Sequence, residues 1–235
     1  MIEALAAGQW RLSIDGRELV TTRELELVQG AIYQACLDVI HHRPEWQALI
    51  HGAAIAWAGS AIGLAAPSGS GKSTLSALLV ARGWTYVAED LLAILPHGKV
   101  APWPLPISVK PGSVAVISAA WPGGLGEPRA HPGKAIMARM LHVPPDRCAT
   151  AALPLKALVL PRYDPDGDDA LQPLWPLHAL ARLAWDRLWI GYPLTRERVE
   201  RFIRWLAAMP CYEIAYRRIE AIDAHFRHIA GGAHA

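Results

Sequence analysis

Cysteine is scarce in this 235-residue chain, and an excess of charge of one sign is absent. The three cysteines, at positions 36, 148 and 211, form no C-x-x-C pair, which argues against a disulfide framework or a zinc site. The formal net charge is only +2, so we expect no bulk electrostatic attraction to nucleic acid or to a membrane surface. The length suits one α/β domain with a small appendage.

Several catalytic and targeting patterns are also missing. No G-x-S-x-G, H-E-x-x-H or early G-x-G-x-x-G element occurs, which leaves hydrolase, zinc-peptidase and dinucleotide-binding functions without support. The first residues lack a basic segment followed by a long apolar core, so we expect no signal peptide and a cytoplasmic protein. Residues 52–71 carry no charge, but Gly59, Gly63 and Pro67 favour strands, a turn and a loop over a membrane span.

The most informative stretch is LAAPSGSGKSTLSALL, residues 64–79, in which an apolar strand breaks into a glycine-serine loop and restarts as a helix. It follows the phosphate-loop pattern G-x-x-x-x-G-K-[ST] from 66 to 73, with Ala66 in place of the first glycine. Backbone N–H groups of such a loop converge on phosphate oxygens at a helix start whose dipole favours negative charge. The residues predicted to bind the nucleotide phosphates are Pro67, Ser68, Gly69, Ser70, Gly71, Lys72, Ser73 and Thr74.

Two acids are predicted to complete this site. Lys72 would contact the β- and γ-phosphates, and Ser73 would offer its hydroxyl to Mg²⁺. Glu89 and Asp90 follow Ser73 by sixteen and seventeen residues, at the end of the next strand, which places them beside the phosphates in an α/β sheet. We assign Asp90 to the metal and Glu89 to the proton of an attacking hydroxyl, although either acid could be the base.

Weaker candidates lie elsewhere in the chain. His51 begins a strand expected next to the nucleotide strand, but most lone histidines are structural. Arg162 and Lys110 are candidate phosphate contacts, although a structural ion pair explains each of them equally well. The acidic run from 164 to 169 lacks the glutamate that a calcium loop needs, so we expect a solvated turn.

The order of elements predicts an α/β fold, because strands and helices alternate around the loop. Hairpin signals at Asp15-Gly16, Ala58-Gly59 and His97-Gly98 imply antiparallel pairs, so a mixed central sheet is favoured over a purely parallel one. The proline- and glycine-rich stretch 102–145 is predicted to form surface loops with short elements. Residues 1–47 are expected to pack as a hairpin and a helix on a unit of residues 48–235. Helices are predicted over 22–41, 73–81, 176–190, 195–208 and 219–229.

Three motifs stand in order along the chain: His51-Gly52, the loop from 66 to 73, and Glu89-Asp90, which follows an Arg82-Gly83 turn. Their order and spacing resemble the catalytic domain of the HPr kinase/phosphorylase family. That resemblance implies a mixed-sheet P-loop fold shared with phosphoenolpyruvate carboxykinase. It also implies a kinase of serine hydroxyls that uses ATP and Mg²⁺.

The resemblance assigns roles residue by residue. His51 matches the family's site histidine, Lys72 and Ser73 match its phosphate and metal residues, and Glu89 matches its catalytic aspartate, with Asp90 beside it. The similarity is specific from about residue 48 to 95, the family's E-I-R-G signature has no counterpart, and we expect none for its separate N-terminal domain. The rest of the chain looks more like the short HPr-kinase-related proteins of peptide-maturation systems, which implies an acceptor serine in a peptide precursor.

The sequence thus supports a hypothesis of phosphoryl transfer from Mg-ATP to a peptidyl serine. Two alternatives stay open: a kinase of a small hydroxylated metabolite on the same scaffold, and a nucleotide-binding regulatory protein without transfer chemistry. A peptide acceptor predicts an open groove beside Glu89, whereas a metabolite predicts a closed pocket lined by convergent polar groups. The residues do not decide between ATP, GTP and pyrophosphate as donor, whether the reverse reaction occurs, or whether the chain forms a homo-oligomer.

Overall fold

The computed structural model describes residues 1–24, 27–28, 30–32, 34–36, 46–130, 137–185, 188–191 and 193–231. Its strands, in chain order, are β1 (Ile2–Ala4), β2 (Trp10–Ile14), β3 (Arg17–Thr22), β4 (Ala48–Ile50), β5 (Ala53–Trp57), β6 (Ser60–Leu64), β7 (Thr85–Ala88), β8 (Leu92–Leu95), β9 (Lys99–Val100), β10 (Ile107–Val109), β11 (Arg129–Ala130), β12 (Met137–Leu141), β13 (Leu153–Tyr163), β14 (Leu171–Pro173), β15 (Leu188–Trp189) and β16 (Cys211–Tyr216). The described α-helices from residue 46 onward are α1 (Lys72–Ala81), α2 (Val114–Ala120), α3 (Pro176–Trp185), α4 (Arg196–Ala208) and α5 (Ile219–Gly231). The described residues between 27 and 36 are also helical.

A mixed β-sheet forms the centre of the fold. Among the described residues, ten strands join in it, in the order β15-β4-β8-β9-β13-β6-β5-β7, with β16 beside β13 and β14 beside β16. The strands β6, β13 and β16 run parallel, whereas β5 is antiparallel to both β6 and β7. The predicted mixed sheet is therefore confirmed.

The long strand β13 brings the parts of the candidate site together. Its first half pairs with β6, which leads into the phosphate loop, and its second half pairs with β16. The strand β7 runs in the same direction as β6, because β5 between them is antiparallel to both. Carboxyl ends of parallel strands meet at one edge of a sheet. The segments that follow β6, β7, β13 and β16 therefore lie along the same edge.

Apolar layers cover both faces of this sheet. Ile62 and Leu64 of β6 pack in a cluster with α1, α2 and α5, whereas Ala61 and the adjoining Ala65 pack in a second cluster with α3 and α4. This alternation follows from the two-residue period of a strand, which sends successive side chains to opposite faces. Burial on both faces holds β6 rigidly, and with it the start of the loop.

Two predicted helices differ from the structure. The helix predicted over 176–190 ends at Trp185, because Leu188 and Trp189 pair instead with Ile50 and Leu49 at the edge of the sheet. The helix predicted over 22–41 begins after Thr22, which belongs to β3, and its end lies outside the described residues.

The proline- and glycine-rich stretch contributes to the core. Ile107, Val109, Ile117 and Leu141 are buried in the same cluster as the side chains of α1. The predicted short elements are confirmed, but a surface location is wrong for these four residues, since they supply the apolar cover that α1 needs on this side. Within the part of the chain that the structure describes, no helix has both the length and the apolar composition needed to cross a membrane.

Candidate functional site

The phosphate loop connects β6 to α1 in the order that the sequence predicts. Gly69 and Gly71 have φ angles of +95° and +97°, in the left-handed region that glycine adopts with least strain, and Gly71 is the N-cap of α1. Ala66 is not among the residues with positive φ, so alanine fits where the pattern has a glycine. The Leu75 N–H donates to the Gly71 carbonyl at 2.8 Å, which closes the first helical turn directly behind the loop.

Lys72 turns back against the loop. The residue is only 7% exposed, and its Nζ donates to the Ala66 carbonyl and, at 3.3 Å, to the Pro67 carbonyl. Burial of an ammonium group requires such acceptors, because an unpaired charge loses its hydration at high cost. These contacts fix a positive charge against the first two residues of the loop.

Ser73 and Glu89 meet although sixteen residues separate them. The Ser73 hydroxyl donates to Glu89 Oε1 at 2.5 Å, and the Glu89 N–H donates to the Trp103 carbonyl at 3.1 Å. The structure thus places the side chain of Glu89, which directly follows β7, in contact with the first turn of α1. The sequence paired Ser73 with Asp90 at the metal, whereas the carboxylate found beside Ser73 is that of Glu89.

Burial controls the charge of Glu89. The residue is 3% exposed, and this burial raises the pKa of its carboxyl from 4.5 to about 7. The hydrogen bond from Ser73 and the positive charge of Lys72 lower the pKa, whereas the negative charge of Asp90 raises it. A carboxyl group with a pKa near neutrality can gain or lose a proton, or exchange a proton for a cation, under physiological conditions.

Asp90 and His51 form the next contact along the edge. Asp90 is exposed and has a φ of +62°, and its carbonyl lies 3.1 Å from Nδ1 of His51. A carbonyl can only accept a hydrogen bond, so Nδ1 of His51 carries the proton in this contact. Gly52 allows this arrangement, because a Cβ at that position would lie 2.6 Å from the Leu64 carbonyl oxygen.

The segment after β10 lies against the other side of the loop. Lys110 Nζ donates to Ser68 Oγ at 3.0 Å, and Thr74 Oγ1 lies 2.7 Å from Ser113 Oγ. Lys110 therefore lies next to Ser68, a predicted phosphate-binding residue, which is the position expected of a side chain that contacts phosphate. Ser113 did not emerge from the sequence, because it lies in a stretch that carries no motif.

Two tyrosines hold the second half of the loop. Tyr216 Oη donates to the Gly71 carbonyl at 3.3 Å, and the Tyr163 N–H donates to the Ser70 carbonyl at 2.9 Å. Burial raises the pKa of the Tyr216 hydroxyl above its ordinary value, so it remains a donor at neutral pH. Sequence reasoning did not select either tyrosine, although each ends a buried strand of the parallel set.

A cavity of about 820 Å³ adjoins the first half of the loop. Its wall includes His51, Ala65 just before the loop, and four loop residues, Ala66, Pro67, Gly69 and Ser70. Arg162 also lines it, and its guanidinium forms an ion pair with Asp164 at 2.7 Å. The structure therefore places Arg162 beside the loop while giving it the structural partner that the sequence left as an alternative.

The acidic run 164–169 is solvated only in part. Asp169 is 3% exposed, and its carboxylate accepts hydrogen bonds from the backbone N–H groups of Arg217 and Arg218 at 2.7 and 3.0 Å. Burial by itself would raise the pKa of this carboxyl, but these bonds and the Arg218 guanidinium lower the pKa below its ordinary value. The predicted solvated turn is thus wrong for Asp169, because the chain returns there to the start of α5.

The residues present fit a bound nucleotide with Mg²⁺. Two buried polar atoms at the loop, Ser70 Oγ and Glu89 Oε2, have no hydrogen-bond partner among the described residues. Buried polar atoms are normally satisfied, and a bound phosphate or cation would supply the partner that these two atoms lack. No group of three or more His, Cys, Asp or Glu side chains arranged for a metal ion occurs in the described ranges. A Mg²⁺ site does not require such a group, since Mg²⁺ commonly uses one or two protein ligands together with phosphates and water.

Comparisons with known proteins give a distant similarity to a solved structure. No protein-family model matches the chain, and no curated protein matches it. Among solved structures, the chain is similar to the HPr(Ser) kinase/phosphatase from Coxiella burnetii, with 11% sequence identity and a TM-score of 0.36. That alignment covers 76% of this chain and 88% of the other. A similarity at this TM-score is too distant to carry a functional conclusion.

Proposed function

We propose that this chain is an ATP-dependent kinase that transfers the γ-phosphoryl group to a serine hydroxyl of a peptide or protein. The observation that carries the proposal is the 2.5 Å hydrogen bond between Ser73 and the buried carboxylate of Glu89. A hydroxyl at this position of a phosphate loop and an acid after a neighbouring strand are the pair with which P-loop enzymes hold Mg²⁺ beside the transferred phosphate. A turn that only joined a strand to a helix would not need a buried carboxylate there.

The loop would bind the donor phosphates. Its two glycines have positive φ at the positive end of α1, and the backbone N–H groups of such a loop would bind the phosphate oxygens. Lys72, held against the Ala66 and Pro67 carbonyls, would place its charge on the β- and γ-phosphates. Lys110, which contacts Ser68, would add a second cation from the opposite side.

Ser73 and Glu89 would hold Mg²⁺, which differs from the pair of Ser73 and Asp90 that the sequence favoured. When bound, the ion would neutralise negative charge on the phosphates during transfer. The unsatisfied Oε2 of Glu89 supports this assignment, because it is a buried acceptor that a cation would satisfy.

Asp90 and His51 would then serve the acceptor. The acceptor hydroxyl oxygen attacks the γ-phosphorus, the bond to the β-phosphate oxygen breaks, and the hydroxyl proton passes to the exposed Asp90 carboxylate. His51 lines the cavity and donates to the Asp90 carbonyl, so it would hold the backbone of Asp90 in its left-handed conformation.

Phosphopeptide formation tests the proposal. The protein is incubated with Mg-ATP and a library of serine peptides, and phosphopeptides are counted by mass spectrometry. Lys72→Ala should lower the rate by about 100-fold or more, because it removes the positive charge that stabilises the negative charge developing on the phosphate oxygens. Lys99→Ala is the matched control, since Lys99 is exposed in the β8–β9 hairpin. Full activity of the Lys72→Ala variant would contradict the proposal.

Two further variants separate the roles of the acids. Glu89→Gln should weaken Mg²⁺-dependent binding of a fluorescent ATP analogue. Asp90→Asn should leave that binding intact and abolish transfer. The opposite result would assign metal binding to Asp90 and acceptance of the hydroxyl proton to Glu89.

A further inference from the structure

The cavity beside the loop has an apolar floor. The apolar residues in its wall, besides those of the loop, include Leu160, Leu183, Ile214 and Ala215. Leu160 and Leu183 are at most 9% exposed, so they form part of the core as well as the floor, whereas the Ile214 side chain packs on the other face of the sheet with α1 and α5. A site for a polyol or a sugar would need convergent polar groups at its floor to replace the water that such a ligand loses. This floor suits an apolar group instead.

Charged residues stand at the rim. Arg182, which is followed by the buried Leu183, lies 3.9 Å from Glu213, and the side chains of both are about half exposed or more. Arg162 is equally exposed and pairs with Asp164. Exposed ion pairs contribute little to stability, so these guanidinium groups can exchange their carboxylates for the carbonyl oxygens of a bound polypeptide.

One aromatic side chain at the rim is almost entirely in solvent. Trp185, the last residue of α3, is 90% exposed and lines the cavity. Arg182 stands three residues earlier, on the same face of the helix. Burial of an indole is among the largest apolar contributions that a single residue can make, and tryptophan is enriched among the residues that dominate binding. Trp185 therefore lines the same cavity as the first half of the loop while its indole stays exposed.

We propose that this cavity is the acceptor site, and that it receives an apolar side chain of the acceptor polypeptide, next to the serine, under the indole of Trp185. The inference rests on the proposed kinase function and names its substrate class. His51 and four residues of the phosphate loop belong to both the cavity wall and the candidate site, so an occupant of the cavity would adjoin the first half of the loop. A polypeptide has both an apolar side chain for the floor and backbone carbonyls for the guanidinium groups of the rim.

The experiment is a serine-peptide array in which each position around the serine is varied between leucine, alanine and aspartate. One copy is incubated with Mg-ATP and read for phosphate, and a second copy is incubated with fluorescently labelled protein without nucleotide and read for binding. The wild-type protein should favour leucine over alanine at one flanking position by about tenfold or more in both readings, as expected for an apolar pocket. Trp185→Ala should remove that preference.

Trp175→Ala is the matched control, because Trp175 is 76% exposed and precedes α3 but does not line the cavity. It should keep the wild-type preference, and neither variant should change the KM for ATP. The inference is overturned if no flanking position favours leucine, if Trp185→Ala behaves as the wild type does, or if Trp185→Ala raises the KM for ATP, which would assign the cavity to the donor. Binding without transfer would contradict the kinase proposal while supporting the cavity assignment.

Discussion

The hydroxyl group of Tyr216 donates a hydrogen bond to the carbonyl oxygen of Gly71 at 3.3 Å, although 145 positions separate the two residues. Tyr163 packs edge-on against Tyr216, with ring centroids 5.7 Å apart, and its own N–H donates to Ser70. The two loop residues that precede Lys72 are thus held by the ends of β13 and β16. The shape of the phosphate loop therefore depends on strands that follow it by many residues.

Tyr216→Phe should weaken nucleotide binding without unfolding the protein. The variant keeps the ring and its packing but loses one hydrogen bond, which is worth about a two- to tenfold change in affinity. We expect the Kd for a fluorescent ATP analogue to rise by that factor, with little change in Tm. Tyr212→Phe, on the same strand, is the control and should bind as the wild type does. An unchanged Kd for Tyr216→Phe would show that the hydroxyl does not shape the loop.

Gly71→Ala should damage the loop more severely. A Cβ at this position would lie 2.7 Å from Tyr216 Oη and 3.2 Å from Tyr163 Cβ, in a residue whose φ is +97°. We expect the affinity for the ATP analogue to fall by about tenfold or more, since steric overlap adds to the cost of the left-handed conformation.

Two companion variants separate the steric overlap of the new Cβ from the backbone strain of alanine at positive φ. Gly59→Ala has a φ of +79° but nothing within 4 Å of the new Cβ, so it should lower the Tm and leave nucleotide affinity unchanged. The double variant Gly71→Ala/Tyr216→Phe removes the overlapping oxygen and should regain part of the lost affinity. Strictly additive effects of the two substitutions would contradict a direct clash.

The stability of the protein without nucleotide and Mg²⁺ should depend on the charge of Glu89. Its pKa is about 7 in the folded state against an ordinary value of 4.5, so the folded state binds this proton more tightly than the unfolded state does. The stabilisation is fully present below about pH 4.5 and is lost as the pH rises towards 7 and beyond. We expect Tm to fall over this range in the wild type and to fall less in Glu89→Gln. Glu197→Gln, at an exposed site, should follow the wild type, and a Glu89→Gln curve parallel to the wild type would refute the assignment.

The sequence predicted the parts of the site that are local. The strand, loop and helix from 60 to 81 follow from apolar runs, two glycines and a lysine, all within reach of short-range rules. The mixed sheet followed from hairpin signals at fixed turns. The approach of Glu89 to the loop was also predictable, because a strand after a P-loop helix returns its end to the same edge of the sheet.

The remaining features depend on contacts between distant segments. The preference of Ser73 for Glu89 over Asp90 is decided by the path of the backbone after β7, where Asp90 takes a φ of +62° that the sequence pattern did not predict. The end of α3 at Trp185 is decided by pairing with β4, which no helix-forming tendency reveals. Tertiary pairing overrides local preference in both cases.

Asp169→Asn should destabilise the protein and disturb the cavity. The Asp169 carboxylate accepts two backbone N–H groups and the Arg218 guanidinium, and its own carbonyl lies 3.0 Å from His225 Nε2. An amide loses the negative charge and turns one acceptor into a donor facing other donors, which should cost about 2 kcal/mol of unfolding free energy in a urea titration. The pKa of Asp169 is lowered by folding, so the stability that this carboxylate contributes is present at neutral pH and is lost as the pH falls through the acid range. The difference in stability between variant and wild type should therefore shrink at low pH.

Because the neighbours Asp168 and Ala170 line the cavity, the Asp169→Asn variant should also lose selectivity in the peptide array. Asp166→Asn, at an exposed position of the same turn, should change neither quantity, and equal stability of the two variants would show that the buried carboxylate does not hold the turn to α5.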